Sequence, residues 1–181
     1  MYILGGKLKG RRLTNCKTKN IRPAMALVRK SIFDTLQDFV IDANVLDLCA
    51  GTGILGIEAL SRGAKKLTVI DSDKTAINLI TKNLMICKLN ADVIMGSLPK
   101  ILNKVISKNE TYELIFLDPP YGQGGFIENM LDVISQSNIL DKNSLILIEH
   151  EAKCEFLIPV NFKLHKQKKY GNTIISYIKY K

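Results

Sequence analysis

Apolar and polar positions along this chain fall into blocks with two alternating periods. Short apolar runs read as strands buried on both faces: "NVLDLC" at 44–49, "KLTVID" at 66–71, "DVIM" at 92–95, "YELIFL" at 112–117 and "SLILIE" at 144–149. Between them the spacing of apolar residues turns helical, predicting helices over 54–62, 74–87, 98–106 and 126–135. An earlier helix is predicted from Pro23 to about Phe39, where Val28, Ile32, Leu36 and Phe39 share a face and Pro23 suits the first turn. Five apolar strands joined by helices predict an α/β fold with a parallel sheet.

The two ends of the chain have a different character. "FKLHKQKK" and "TIISYIKY" flank Tyr170-Gly171-Asn172, predicting an antiparallel hairpin that completes a mostly parallel, seven-stranded sheet. The opening stretch, with glycines at 5, 6 and 10, reads as a small β extension or hairpin carrying basic side chains. No repeat or linker interrupts the chain, so residues 1–181 are expected to form one domain, 1–22 a basic extension and 23–181 the core.

Composition narrows the class. With 46% hydrophobic residues and no run near ~20 apolar positions, the chain reads as a globular protein without a membrane span. The first residues have no apolar signal-peptide core, so a cytoplasmic location is expected. Cys16, Cys49, Cys87 and Cys154 are widely scattered with only two histidines, so buried thiols are expected rather than a disulfide or a metal site. The formal net charge is +9, with Lys7, Lys9, Arg11 and Arg12 crowding one end and Lys163, Lys166, Lys168 and Lys169 the other. Clustered cations of this kind favour a polyanionic partner, and nucleic acid is the expectation.

"DLCAGTGILG" then supplies a candidate ligand site: Gly51, Gly53 and Gly56 form G-x-G-x-x-G between a predicted strand and helix. Asp71 ends the next strand twenty residues after Gly51, where a carboxylate can accept hydrogen bonds from ribose hydroxyls. Asp73 is better placed to cap the following helix. The combination predicts nucleotide binding without fixing the chemistry. A hydride-transfer enzyme is poorly supported, because Tyr177 and Lys181, at Y-x-x-x-K spacing, sit on a predicted strand that cannot bring them together.

Chemistry enters with "LIFLDPPYG" at 114–122. Here an acid, two prolines and an aromatic residue follow a strand's carboxyl end, the side expected to face the same crevice as the glycines. These residue types suit methylation of an exocyclic amine on a nucleobase, whose lone pair is delocalised into the ring. Asp118 can accept one N–H and the Pro119 carbonyl another, while Tyr121 can stack on the base, worth roughly 1–3 kcal/mol. Proximity and orientation can supply ~7–11 kcal/mol of such a barrier. A paired base must first be unstacked.

At this point the sequence resembles the class I S-adenosylmethionine-dependent methyltransferases, which share a Rossmann-like fold. More closely it resembles the bacterial 16S rRNA guanine-N2 methyltransferases of the D type. The likeness runs nearly end to end through "GGKLKGRRL", "IRP" with "VRKSIFDTL", "LDLCAGTGILGIEALSRGAK", "LDPPYG", "IEH" and "KKYGNT". It implies that Asp47, Cys49, Ala50, Gly51, Thr52 and Gly53 line the methionine and ribose portions of S-adenosylmethionine. Asp71 with Ser72 would bind the ribose, and Ser97 with Leu98 would lie at the adenine. Asp118, Pro119, Pro120 and Tyr121 would hold the target guanine amine, with Arg22 near the mouth of the site. Lys7, Lys9, Arg11, Arg12, Arg22, Lys168 and Lys169 would contact 16S rRNA, in or near a small ribosomal subunit, the enzyme acting as a monomer without a metal.

The chain departs from that family pattern at several positions. Ser97 stands where members carry an acid after the third strand, and Cys49 where they carry an aromatic. Ala24, Ala26, Leu27 and Lys30 replace polar or oppositely charged residues in the first helix. D-P-P-Y also fits a DNA adenine-N6 methyltransferase, although 181 residues leave little room for a separate target-recognition domain. A non-catalytic nucleic-acid-binding module is the remaining alternative, and an intact Asp118 to Tyr121 opposes it.

Overall fold

A computed structural model describes residues 1–15, 23–120 and 122–181. They cluster into two compact units, Met1–Met95 and Gly96–Lys181. Seven strands make up a mostly parallel sheet.

In the first unit, Tyr2 bridges antiparallel to Arg12 around a 3-10 turn at Gly6–Leu8, so the expected small extension forms. Then follow α1 (Pro23–Leu36), a 3-10 turn at Gln37–Val40, β1 (Asn44–Leu48), α2 (Ile54–Ser61), β2 (Lys66–Asp71), α3 (Lys74–Cys87) and β3 (Asp92–Met95). β1 and β3 both pair parallel to β2, with Asp47 opposite Val69 and Asp71 opposite Met95. Val45, Leu46, Leu67, Val69 and Ile70 are fully buried, as two-sided coverage of a parallel sheet requires.

The second unit contains α4 (Leu102–Ile106), β4 (Leu114–Leu117), α5 (Gly124–Ser135), β5 (Leu145–Glu151), β6 (Phe162–Tyr170) and β7 (Thr173–Tyr180). β4 and β5 are parallel, whereas β7 runs antiparallel between β5 and β6. The parallel sheet with its antiparallel C-terminal hairpin is therefore the observed architecture.

Three expectations need correction. α4 begins at Leu102, four residues later than its apolar spacing suggests: Pro99 disfavours helix at Leu98, and the chain then runs through tighter turns, with the Leu102 N–H donating to the Pro99 carbonyl at 2.9 Å. α1 stops at Leu36, where Gln37 takes a left-handed φ of 45° and the chain tightens into a 3-10 turn. Of the cysteines, only Cys87 is buried among the described ones; Cys49 and Cys154 are half-buried, and Cys16 lies outside the described residues.

The N-terminal fold-back is fixed by one buried carboxylate. Glu58 on α2 is fully buried, and its two oxygens accept the Leu4 N–H at 3.1 and 2.8 Å. Arg62 donates to Oε1 through Nε at 3.0 Å, and its guanidinium lies 4.7 Å over the Phe33 ring. Arg29 Nε sits 3.5 Å from Oε2, an ion pair without hydrogen-bond alignment, while its Nη2 donates to the Tyr2 carbonyl at 2.8 Å. Ser61 completes the clamp, accepting from Leu8 N–H and donating to the Gly5 carbonyl. Removing one member of a buried ion pair strands the others, so Glu58→Ala is expected to cost about 3–5 kcal/mol of unfolding free energy. A urea titration checks this, and an unshifted midpoint would remove the clamp from the account of stability.

Candidate functional site

The cradle in the first unit is built where β1 runs out. Cys49, Gly51 and Gly53 take left-handed φ values of 61°, 56° and 71°, folding the chain back so that Gly53 leads directly into α2. A side chain at Gly51 would meet nothing within 4 Å, so that glycine serves a backbone conformation beside open space. Gly56 is constrained differently. A Cβ there would come within 2.6 Å of Leu67 Cδ1 and 3.0 Å of Asp47 Oδ2, so close helix–strand packing excludes it.

Two carboxylates hold this turn. Asp71, at the end of β2, accepts the Gly51 N–H at 2.7 Å through Oδ2 and the Asp73 N–H at 2.9 Å through Oδ1. It is half-buried, and two hydrogen bonds leave a carboxylate with further acceptor capacity. Asp47 is the penultimate residue of β1 and is 1% exposed. Its Oδ2 accepts the Gly56 N–H at 3.0 Å, whereas Oδ1 is buried with no hydrogen-bond partner. Burial pushes the Asp47 carboxyl up to about 7; the Gly56 N–H opposes the shift and the charge of Asp71 adds to it. A buried oxygen without a donor, two residues before a glycine turn, fits a ligand that brings its own donors.

Ala50 N–H donates to the Ile70 carbonyl at 3.2 Å, tying the turn to β2. Thr52 is tied by a residue that sequence reasoning missed. Asn83 on α3 is fully buried; its Nδ2 donates to the Thr52 carbonyl at 3.2 Å and to the Thr14 carbonyl at 3.2 Å, while Oδ1 accepts the Thr14 N–H at 2.9 Å. Only burial of an amide on an otherwise apolar helix face could have signalled it. Asp73 caps α3 as expected, accepting the Thr75 N–H at 2.8 Å. Ser72 is exposed.

In the second unit, Ser97 is exposed and Leu98 half-buried, with the Ser97 carbonyl accepting the Ile101 N–H at 3.0 Å. β4 delivers Asp118 half-buried, Pro119 buried and Pro120 exposed at its carboxyl end. Tyr121 and Arg22 lie outside the described residues. Lys7, Lys9, Arg11, Arg12 and Lys169 are exposed, and Lys168 is half-buried. Among the described residues, no His, Cys, Asp and Glu side chains cluster in a way that could hold a metal ion. No helix among them is long and apolar enough to cross a membrane.

Residues 1–179 match the family described as Conserved hypothetical protein 95. The chain is 34% identical over 179 residues to ribosomal RNA small subunit methyltransferase D of Buchnera aphidicola from Acyrthosiphon pisum, covering 98% of this chain and 92% of that one. The chain belongs to this methyltransferase family. Its identity to the Escherichia coli K12 protein of the same name is 33% over 171 residues, covering 93% of this chain and 84% of that one. The solved structure of the Escherichia coli protein yhhF superposes with a TM-score of 0.84 at 30% identity, covering 100% of this chain and 98% of that chain. The expected family is thus the observed one, and the fold is the Rossmann-like fold of methyltransferases.

Asp47 makes the cradle sensitive to pH in a defined direction. Its carboxyl ordinarily titrates at 3.8 and in the fold is pushed up to about 7, so folding favours the protonated form. The stability it contributes is complete below about pH 4 and is lost as pH rises towards 7. Asp47→Asn should therefore flatten the ligand-free protein's stability between pH 4 and 7. Parallel thermal melts across that range check this, and identical pH slopes for both proteins would contradict it.

Proposed function

We propose that this protein methylates the exocyclic N2 amine of a guanine in small-subunit ribosomal RNA, using S-adenosylmethionine. The observation that carries the reading is Asp118-Pro119-Pro120 at the carboxyl end of β4, with Tyr121 next in sequence, in a member of an rRNA methyltransferase family. Bound S-adenosylmethionine supplies an electrophilic methyl group. Asp47, Cys49, Ala50, Gly51, Thr52 and Gly53 hold its methionine and ribose portions, Asp71 and Ser72 the ribose, and Ser97 and Leu98 the adenine. The partnerless, buried Oδ1 of Asp47 supports a ligand donor at that end of the cradle. With Ser97 in place of an acid, adenine recognition rests on neutral hydrogen bonding and packing.

Asp118 accepts one N–H of the guanine amine and the Pro119 carbonyl accepts the other, so the nitrogen lone pair is directed at the methyl group. Proline fixes φ and gives that carbonyl one direction, which supports a positioning role for the pair. Tyr121 stacks on the base. Lys7, Lys9, Arg11, Arg12, Arg22 and Lys168 contact RNA phosphates, and the exposure of the first four supports this for the N-terminal fold-back. The protein works as a cytoplasmic monomer on the small subunit or an assembly intermediate of it.

The test presents labelled S-adenosylmethionine and the protein with unmethylated small-subunit particles, bare 16S rRNA and duplex DNA, followed by nucleoside analysis. N2-methylguanosine from particles or rRNA is the expected product, and N6-methyladenine from DNA overturns the reading. Asp118→Ala should lose methyl transfer by at least 100-fold while retaining S-adenosylhomocysteine binding measured by calorimetry. Undiminished transfer would remove Asp118 from the chemistry.

A further inference from the structure

A β-bulge in the edge strand sorts the C-terminal lysines onto one face. β6 is the outermost strand of the sheet, and its register against β7 slips between Leu164 and Lys166, leaving His165 as the extra residue. Residues directly opposite each other in an antiparallel pair share a face. Lys163 lies opposite Lys179, Lys166 opposite Tyr177 and Lys168 opposite Ile175, so these four lysines are on one face. Phe162, Leu164, Gln167 and Lys169 are on the other. There the Gln167 side chain donates to Ser176 Oγ at 2.9 Å, and His150 Nε2 lies 2.8 Å from the same oxygen, which corroborates the register independently. Strict alternation without the bulge would have put Lys163 and Lys169 on one side and Lys166 and Lys168 on the other.

Lysines on an exposed edge strand have a plain role, since they block edge-to-edge aggregation. That role asks for charge anywhere along the edge. It does not ask for Lys163 facing Lys179 across the pair, because like charges directly opposite are destabilising. Lys163 and Lys166 are exposed, and Lys168 and Lys179 half-buried. The acids on this face, Glu149 opposite Ile175 and Glu151 opposite Thr173, lie on β5 towards the hairpin-turn end. The end carrying Lys163, Lys179 and Lys166 therefore keeps its positive charge.

We propose that this face of the β6–β7 ribbon binds the phosphate backbone of RNA, with Lys163, Lys166, Lys168 and Lys179 as the contacts. Lys169, although adjacent in sequence to Lys168, points away and takes no part. The choice of RNA rests on the function proposed above; the polyanion-binding face rests on the register alone.

The test measures affinity for a small-subunit rRNA transcript across a salt series. It compares the unmodified protein, the combined Lys163→Gln, Lys166→Gln, Lys168→Gln and Lys179→Gln variant, the matching four-arginine variant, and Lys169→Gln. The four-glutamine variant should bind at least 10-fold more weakly near 0.1 M salt. Its log–log salt slope should be shallower by about 3, at roughly 0.7–0.9 per lost phosphate contact. The arginine variant should bind as the unmodified protein does, and Lys169→Gln should keep the full slope. Should the four-glutamine variant aggregate, Lys166→Glu alone is read in its place and should weaken binding at least 3-fold. Unchanged slopes in the variants, or an equal loss from Lys169→Gln, would overturn the proposal. Equal losses with duplex DNA of the same length, with no preference for the transcript, would overturn RNA as the partner. Methyl transfer by the unmodified protein is scored separately, so its absence counts against the proposed function while the slopes still decide the face.

Discussion

A single buried carboxylate organises the first unit of this protein. Glu58 is fully enclosed, and a lone charge there would be prohibitively expensive to desolvate. It persists because Arg29, Arg62 and the Leu4 backbone N–H converge on it from α1, its own helix and the N-terminal segment. The same three connections mean that the basic fold-back has a fixed position on α1 and α2. Exposed cations at Lys7, Lys9, Arg11 and Arg12 are thus presented from a rigid base. A surface of that kind loses less conformational entropy on meeting a polyanion than a loose tail would.

The glycine turn illustrates how one motif can combine separate demands. Gly51 answers to backbone conformation and Gly56 to the approach of Leu67, while Asp47 and Asp71 brace the turn from two neighbouring strands. None of this specifies a reaction. A turn that suits ligand binding says little about the chemistry that would follow.

Much of the fold was legible because strand and helix periods differ. β2, β3, β7 and α3 have the residue ranges that the apolar pattern predicts. Where the reading failed, a local effect overrode the period, as at Pro99 ahead of α4. The bulge at His165 was invisible for another reason. β6 is polar and exposed over most of its length, so no hydrophobic alternation records which face each residue takes. For the candidate site, the strand-end acids and the D-P-P-Y stretch were legible as residue types at strand ends. Asn83 was not, because its partners at Thr14 and Thr52 are 69 and 31 residues away in sequence. Nor could any sequence pattern reveal that one oxygen of Asp47 lacks a donor.

The sequence separations in the N-terminal clamp also set an order for biosynthesis. Leu4 must wait for Glu58, 54 residues later, and Thr14 must wait for Asn83, 69 residues later. The basic segment is therefore synthesised before the residues that anchor it and docks only after they have been made. Those cations lack the Glu58 anchor until α2 has been made and the Asn83 anchor until α3 has been made. The folded surface comes into being only when the glycine turn has also been built, since Asn83 grips both.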